Sequence, residues 1–267
     1  MLEQVFLNTA VNLKFFRRSR FILGLSLLVF LLMAISSVPM FIFGGVGGEF
    51  EVMRQVFDML LDYVQVFAAI MGMFYIHSHI KDRSLKMVLT KPCLPETWLF
   101  SLGVSSALVV AGFHIVIFFA ALGAFFVVGI QFQYGFLFLA AANLISSMIL
   151  MFYGMFLATI IHPALAAVVI IFFSEGAFMG IFELVSSGLL ARPDSRLLSS
   201  LQPFFELIYL ALPMYEPFRD RYSDMMDSMT VSSDQWIYLV YSGAYALVFG
   251  TLMYLLSLYF LRRKNII

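Results

Sequence analysis

The charged residues of this 267-residue chain fall into a few clusters, and the stretches between them are long and apolar enough to cross a bilayer. A crossing helix needs about 20 largely apolar residues at about 1.5 Å rise each. Six stretches qualify: residues 21–43, 56–79, 98–128, 136–161, 163–187 and 236–261. Only 12% of the residues are charged and 62% are hydrophobic, whereas a soluble domain carries about 25% charged residues. A segment in lipid must satisfy its own backbone hydrogen bonds, so the spans are read as helices and the fold as an all-α membrane protein. Together they make a single membrane domain over residues 1–267, with no length left for a soluble one. The second span is the weakest because Asp58 and Asp62 lie in its first turns, and the third is longer than a bilayer requires.

The basic residues set the orientation. Lys14, Arg17, Arg18 and Arg20 precede the first span, Lys81, Arg83, Lys86 and Lys91 lie between the second and third, and Arg262, Arg263 and Lys264 follow the sixth. Six spans place all of these on one side, against Arg54, Arg192, Arg196, Arg219 and Arg221 on the other. The side rich in Lys and Arg is the cytoplasmic one. The expectation is therefore a multi-pass protein of the cell (inner) membrane with both termini in the cytoplasm. An odd number of spans would separate the two terminal clusters, so the charge pattern favours six. The basic N-terminal cluster is read as a topology signal, and no nucleic-acid partner is expected.

Residues 2–16 carry Leu2, Val5, Phe6, Leu13 and Phe16 at helical spacing ahead of that cluster, which predicts an amphipathic helix in the inner interface. It is not read as a cleaved signal, because the apolar run that follows is too long and has no small-residue cleavage pattern. Gly44, Gly45, Gly47 and Gly48 form a turn after the first span. Residues 129–135 and 161–162 are expected to be tight turns.

Residues 80–96, IKDRSLKMVLTKPCLPE, are more elaborate than a reversal of direction requires. Ser84 can cap a helix start by accepting a hydrogen bond from a first-turn amide. Leu85, Val88 and Leu89 then share one face. Pro92 ends that helix, and Pro95 with Glu96 suits the first turn of the next one. The reading is a short, capped, lysine-bearing cytoplasmic helix offered to a docking partner.

This segment resembles the one between the second and third spans of ABC-2-type transporter permeases, where an acidic residue and Gly-Thr lead into a short apolar run ending in a basic-Pro pair. Asp82, the apolar run 87–89 and Lys91-Pro92 match, while Arg83-Ser84 stands in place of Gly-Thr and Cys93-Leu94 in place of a small pair. The six-span layout matches over nearly the whole chain. The resemblance implies that the helix at residues 84–89 couples the membrane subunit to a separate ATP-binding cassette protein. Asp82, Arg83, Ser84, Leu85, Lys86, Val88, Leu89, Lys91 and Pro92 would form the coupling site. Two ATP-binding subunits would supply ATP and Mg, a second permease subunit, identical or related, would complete the path, and export would be the direction. The chain has no GxxxxGK[ST] motif, so no ATPase site or cofactor of its own is expected. Short re-entrant or interfacial helices between the last two spans are also implied. The apolar stretch inside PFFELIYLALP, residues 203–213, is too short to cross and suits that role. The charged run 216–234 after it is either a solvated loop or a gate or partner surface.

Few intramembrane polar residues stand out. Glu175 lies near the middle of the fifth span, and Glu183 follows roughly 12 Å further out with a direction about 80° away. A carboxylate in hydrocarbon costs about 2.5–3.5 kcal/mol on insertion scales, so both should face protein or water. They are candidates for a substrate path or gate. The structural alternative is a hydrogen bond to a neighbouring span, for which His114 and Asn143 are the available partners. Gly176 and Gly180 beside Glu175 suit close helix packing within the subunit. His77 and His79, two residues apart, point to different helix faces and do not suggest a metal pair. A single cysteine, Cys93, excludes an internal disulfide. No nucleophile–base pattern points to an intramembrane enzyme. An ion-coupled carrier or channel using Glu175 and a non-transporting structural subunit remain as alternatives. Neutralising Glu175 separates the two roles of that residue: Glu175→Gln is expected to reduce transport by the reconstituted protein, and full transport would assign Glu175 to a structural bond.

Overall fold

The computed structural model describes residues 2–18, 24, 27, 31, 49–81, 94–128, 133–172 and 231–263. Among the described residues are six helices: α1 (Leu2–Arg18), α2 (Glu49–Lys81), α3 (Pro95–Val128), α4 (Tyr134–Ile160), α5 (Pro163–Phe172) and α6 (Ser233–Arg263). Four of them, α2, α3, α4 and α6, contain segments long and apolar enough to cross a bilayer, with mean hydropathies of 1.7, 2.2, 2.0 and 1.8. They correspond to the second, third, fourth and sixth expected spans. Of the fifth, the first ten residues are described, as α5. The first span apart from residues 24, 27 and 31, Glu175, Glu183, Gly176, Gly180, the coupling segment 82–92 and most of the outer loop lie outside the described residues.

The helix starts follow local chemistry. Pro95 opens α3 with Glu96 in its first turn, as expected, and the Trp98 amide makes the first helical bond to the Leu94 carbonyl at 3.0 Å. α6 begins with a capping box that the sequence reading missed. The Ser232 amide donates to Gln235 Oε1 at 2.8 Å, and the Gln235 amide donates back to Ser232 Oγ at 3.4 Å. Two expected boundaries shift. α2 begins at Glu49, ahead of the second span expected at 56–79, and its apolar stretch runs over Arg54–Ile80. Asp58 and Asp62 thus lie two to four turns inside it. The expected turn 129–135 is shorter, since Tyr134 and Gly135 already belong to α4.

α2 and α4 form the centre. Within their most apolar windows 61% and 67% of the residues are buried, against 33% for α3 and 22% for α6. Their contact is unusually close. A Cβ added to Gly72 would stand 2.2 Å from the Met151 carbonyl oxygen, and one added to Gly154 would stand 2.9 Å from that of Ala69. Ala68 and Gly72 on one helix and Gly154 and Ala158 on the other are small residues one turn apart, the pattern that lets two backbones meet in a membrane protein. α3, α5 and α6 pack around this pair, and α1 packs on α3.

Ring contacts fix the directions. At one end Phe16 stacks on Tyr75 with ring centroids 4.0 Å apart, His79 meets Trp98, and His77 meets His162. Arg262 at the end of α6 pairs there with Glu96 at the start of α3. At the other end Phe136 meets both Phe57 and Phe125. Thus α2, α4 and α6 run one way and α3 the other. Lys14, Arg17, Arg18, Lys81, Arg262 and Arg263 all belong to the first end, called the basic end below, while Arg54 belongs to the second. Phe119, Phe126, Val240, Leu247 and Val248 point outward, as suits helices embedded in lipid.

α1 is helical as expected, but its buried face differs from the expected apolar one. It turns Thr9, Asn12 and Phe16 inward and leaves Phe6 exposed. Its docking against protein rather than lipid explains the rotation, since the Phe16 ring is held by Tyr75. Thr9 Oγ1, Asn12 Nδ2, Tyr75 Oη and Thr97 Oγ1 are buried around α1, the end of α2 and the start of α3 without a protein hydrogen-bond partner.

The closeness of α2 and α4 sets a clear expectation. Gly72→Ala should lower stability by about 1–3 kcal/mol or more, because a backbone oxygen cannot move aside as a side chain can. Gly112→Ala, where nothing lies within 4 Å, should be neutral or slightly stabilising. Thermal unfolding of both variants in detergent checks the pair.

Candidate functional site

Most serine and threonine hydroxyls inside the membrane-length helices are satisfied by their own helix. Ser101 donates to the Trp98 carbonyl, Ser105 to Leu102, Thr159 to Phe156, Ser242 to Tyr238 and Leu239, Thr251 to Leu247, and Ser257 to Met253. Such back-bonding removes the cost of a hydroxyl in an apolar interior and leaves nothing for chemistry between helices.

His114, Asn143 and Ser147 behave differently, because their bonds run between α3 and α4. All three are buried. His114 Nε2 lies 3.1 Å from Asn143 Oδ1, and Ser147 Oγ lies 3.4 Å from both atoms. Asn143 and Ser147 are one turn apart on α4 and therefore share the face turned toward α3. His114 Nδ1 lies 3.0 Å from the Val110 carbonyl oxygen, one turn earlier on its own helix. The cluster stands about 27 Å along α3 from Glu96 and about 26 Å along α4 from Ile160, deep within both helices.

The hydrogen inventory constrains this cluster. A carbonyl only accepts, so Nδ1 carries the proton in the bond to Val110. In a neutral ring Nε2 is then an acceptor. It needs a donor, which Ser147 Oγ or a turned Asn143 amide presenting Nδ2 can supply. In a protonated ring Nε2 donates directly to Asn143 Oδ1. One proton and one amide rotation therefore interconvert two hydrogen-bonded states without moving a helix. A buried ionisable residue with this freedom inside membrane-length helices is a functional-site candidate on physical grounds.

The sequence reading singled out His114 and Asn143 as partners for Glu175. The structure brings these two to each other, while Glu175 and Glu183 lie outside the described residues. Ser147 was missed, although its spacing of four from Asn143 was visible. The proximity of His77 to His162, with ring centroids 5.0 Å apart, was also missed, because 85 positions of sequence separate the two and only the return of α4 to the basic end joins them. No group of three or more metal-binding side chains occurs among the described residues.

If the three side chains act as a unit, their energies are not additive. Asn143→Leu and His114→Leu should each destabilise the protein, since each leaves a buried polar partner unpaired. The double variant should cost less than the sum, with a coupling of about 0.5–2 kcal/mol. A double-mutant cycle of unfolding free energies in detergent measures this, and zero coupling would mean that the bond contributes nothing.

No protein-family model matches the chain, and no curated protein sequence matches it.

Proposed function

We propose that the chain is the membrane-embedded subunit of an ATP-driven transporter of the ABC-2 kind, working as an exporter in the cell membrane with both termini in the cytoplasm. The observation that carries this reading is the segment between α2 and α3, with its acidic start, apolar run and Lys91-Pro92 ending. Its flanks support it. Lys81 closes α2 and Pro95 opens α3 at the same basic end, so residues 82–93 connect two helix termini on the side that the positive-inside rule assigns to the cytoplasm. A separate ATP-binding protein, present in two copies and holding ATP and Mg, would dock there, and a second permease subunit would complete the path.

The geometry offers a route for the stroke. Pro95–Val128 is one continuous helix of 34 residues. Its first turn is tied to the end of α6 by the Glu96–Arg262 ion pair and by the Tyr254 hydroxyl, which donates to the Glu96 carbonyl at 2.9 Å. A displacement of the segment before Pro95 would reach α3 and α6 together. A second reading, an ion-coupled carrier, draws on the His114–Asn143–Ser147 cluster, which can hold or release a proton within the helices. It requires no ATPase.

Purification of the chain from its host in mild detergent separates the two. The expected result is co-purification of a P-loop ATPase that is lost when Leu85 and Leu89 are both replaced by Asp. A chain that purifies alone and moves ions into ATP-free vesicles would replace this reading with the carrier.

A further inference from the structure

An apolar groove of about 550 Å³ runs between α3 and α6 over a floor of α4. Gly103, Ala107 and Ala111 form one wall, Ala246 and Gly250 the other, and Phe152 lies at the bottom. The two glycines face that ring, since a Cβ at Gly103 would stand 3.3 Å from it and one at Gly250 would stand 3.0 Å away. Phe152 thus props the two helices apart, and the small residues above it leave the space. From Leu99 to Ala111 the groove follows about 18 Å of helix. That is close to the roughly 15 Å depth of one leaflet of a hydrocarbon core about 30 Å thick.

The groove has one polar end. One turn before Leu99, on the same line of α3, Glu96 pairs across the gap with Arg262 of α6, and the Tyr254 hydroxyl is bonded beneath them. Arg262 is 57% exposed, and a guanidinium has five donors, so the pair with Glu96 leaves others available. At the other end the lining of the groove stops at Ala111 on α3. We infer that this groove is a binding site for one membrane phospholipid, with an acyl chain between α3 and α6 and its phosphate on Arg262. The apolar walls match the chain, the length matches a leaflet, and the arginine stands where a headgroup would lie. A groove of this volume is in the range of small-molecule sites and is too small for two turns of a helix 10–12 Å wide. The inference rests on the membrane reading and not on the transporter reading.

The probe is a phosphatidylglycerol with a photoactivatable acyl chain, incorporated into vesicles holding the full-length protein, with the matching diacylglycerol as the control lacking phosphate. Captured lipid is located by mass spectrometry of peptides. Capture is expected on α3, α4 and α6 peptides, about fivefold stronger for the phosphatidylglycerol. Arg262→Gln should lower it by a similar factor. Glu96→Gln should keep or raise it, because a competing carboxylate is removed. Ala107→Trp should abolish it. Opposite responses of the two ion-pair variants separate headgroup binding from a structural role, which would weaken both alike. Equal capture of the two lipids, parallel losses in the two ion-pair variants, unchanged capture in a monodisperse Ala107→Trp protein, or cross-linking of the groove to a second copy of the chain would each overturn the inference. If Ala107→Trp does not fold, Arg262→Gln on the surface still decides it.

Discussion

The near contact of α2 and α4 backbones is the constraint on which the rest of the described structure depends. Lipid gives helices no hydrophobic reason to associate, so packing must come from shape and from bonds between helices. Gly72 and Gly154 supply the shape. With no Cβ at either position, each backbone rests against a carbonyl of the other helix. These two helices are parallel and are separated in sequence by all of α3, so the crossing closes a three-helix unit rather than a simple hairpin. α3, α5 and α6 then have a fixed surface to pack against. Large side chains such as Phe67, Phe136 and Met151 fill the remaining space.

The polar groups of this core that have partners find them in two ways. Ser101 and Ser105 of α3 and Ser242, Thr251 and Ser257 of α6 bend their bonds back to their own helices. His114, Asn143 and Ser147 join two helices instead, and their bonds depend on the spacing that the α2–α4 crossing helps to hold. At the basic end the same logic uses charge. Glu96 begins a helix, where a negative side chain is favoured, and Arg262 ends one, where a positive side chain is favoured. Each is already suited to its terminus before the two pair, so the link between α3 and α6 adds to preferences present in the separate helices.

Long periodic features were legible in the sequence. Four expected spans, the opening of α3 at Pro95–Glu96 and the N-terminal helix correspond to described helices, because helix length and termini are local properties. The interior of the bundle was less legible. The GxxxG pair at Gly176 and Gly180 drew attention by its pattern, whereas Gly72 and Gly154 stand in less conspicuous small-residue pairs with alanine. Which small residue meets another helix depends on tertiary arrangement. His114 and Asn143 were found as rare intramembrane polar residues, but their pairing with each other needed the helices in place. The inward rotation of Thr9 and Asn12 could not be read from hydropathy, since a hydropathy pattern points polar residues outward. The coupling segment and Glu175 rest on sequence pattern and chemistry alone.

The polar seam of α1 bears on the order in which the protein is assembled. α1 precedes α2 and α3 in synthesis, yet the surface it occupies is built from Tyr75 and His79 near the end of α2 and from α3. α1 therefore has no complete seat until both α2 and α3 are threaded into the bilayer. Until then its basic end and exposed Phe6 and Leu7 are suited to resting on the membrane surface, and it enters its final place from there as a late arrival.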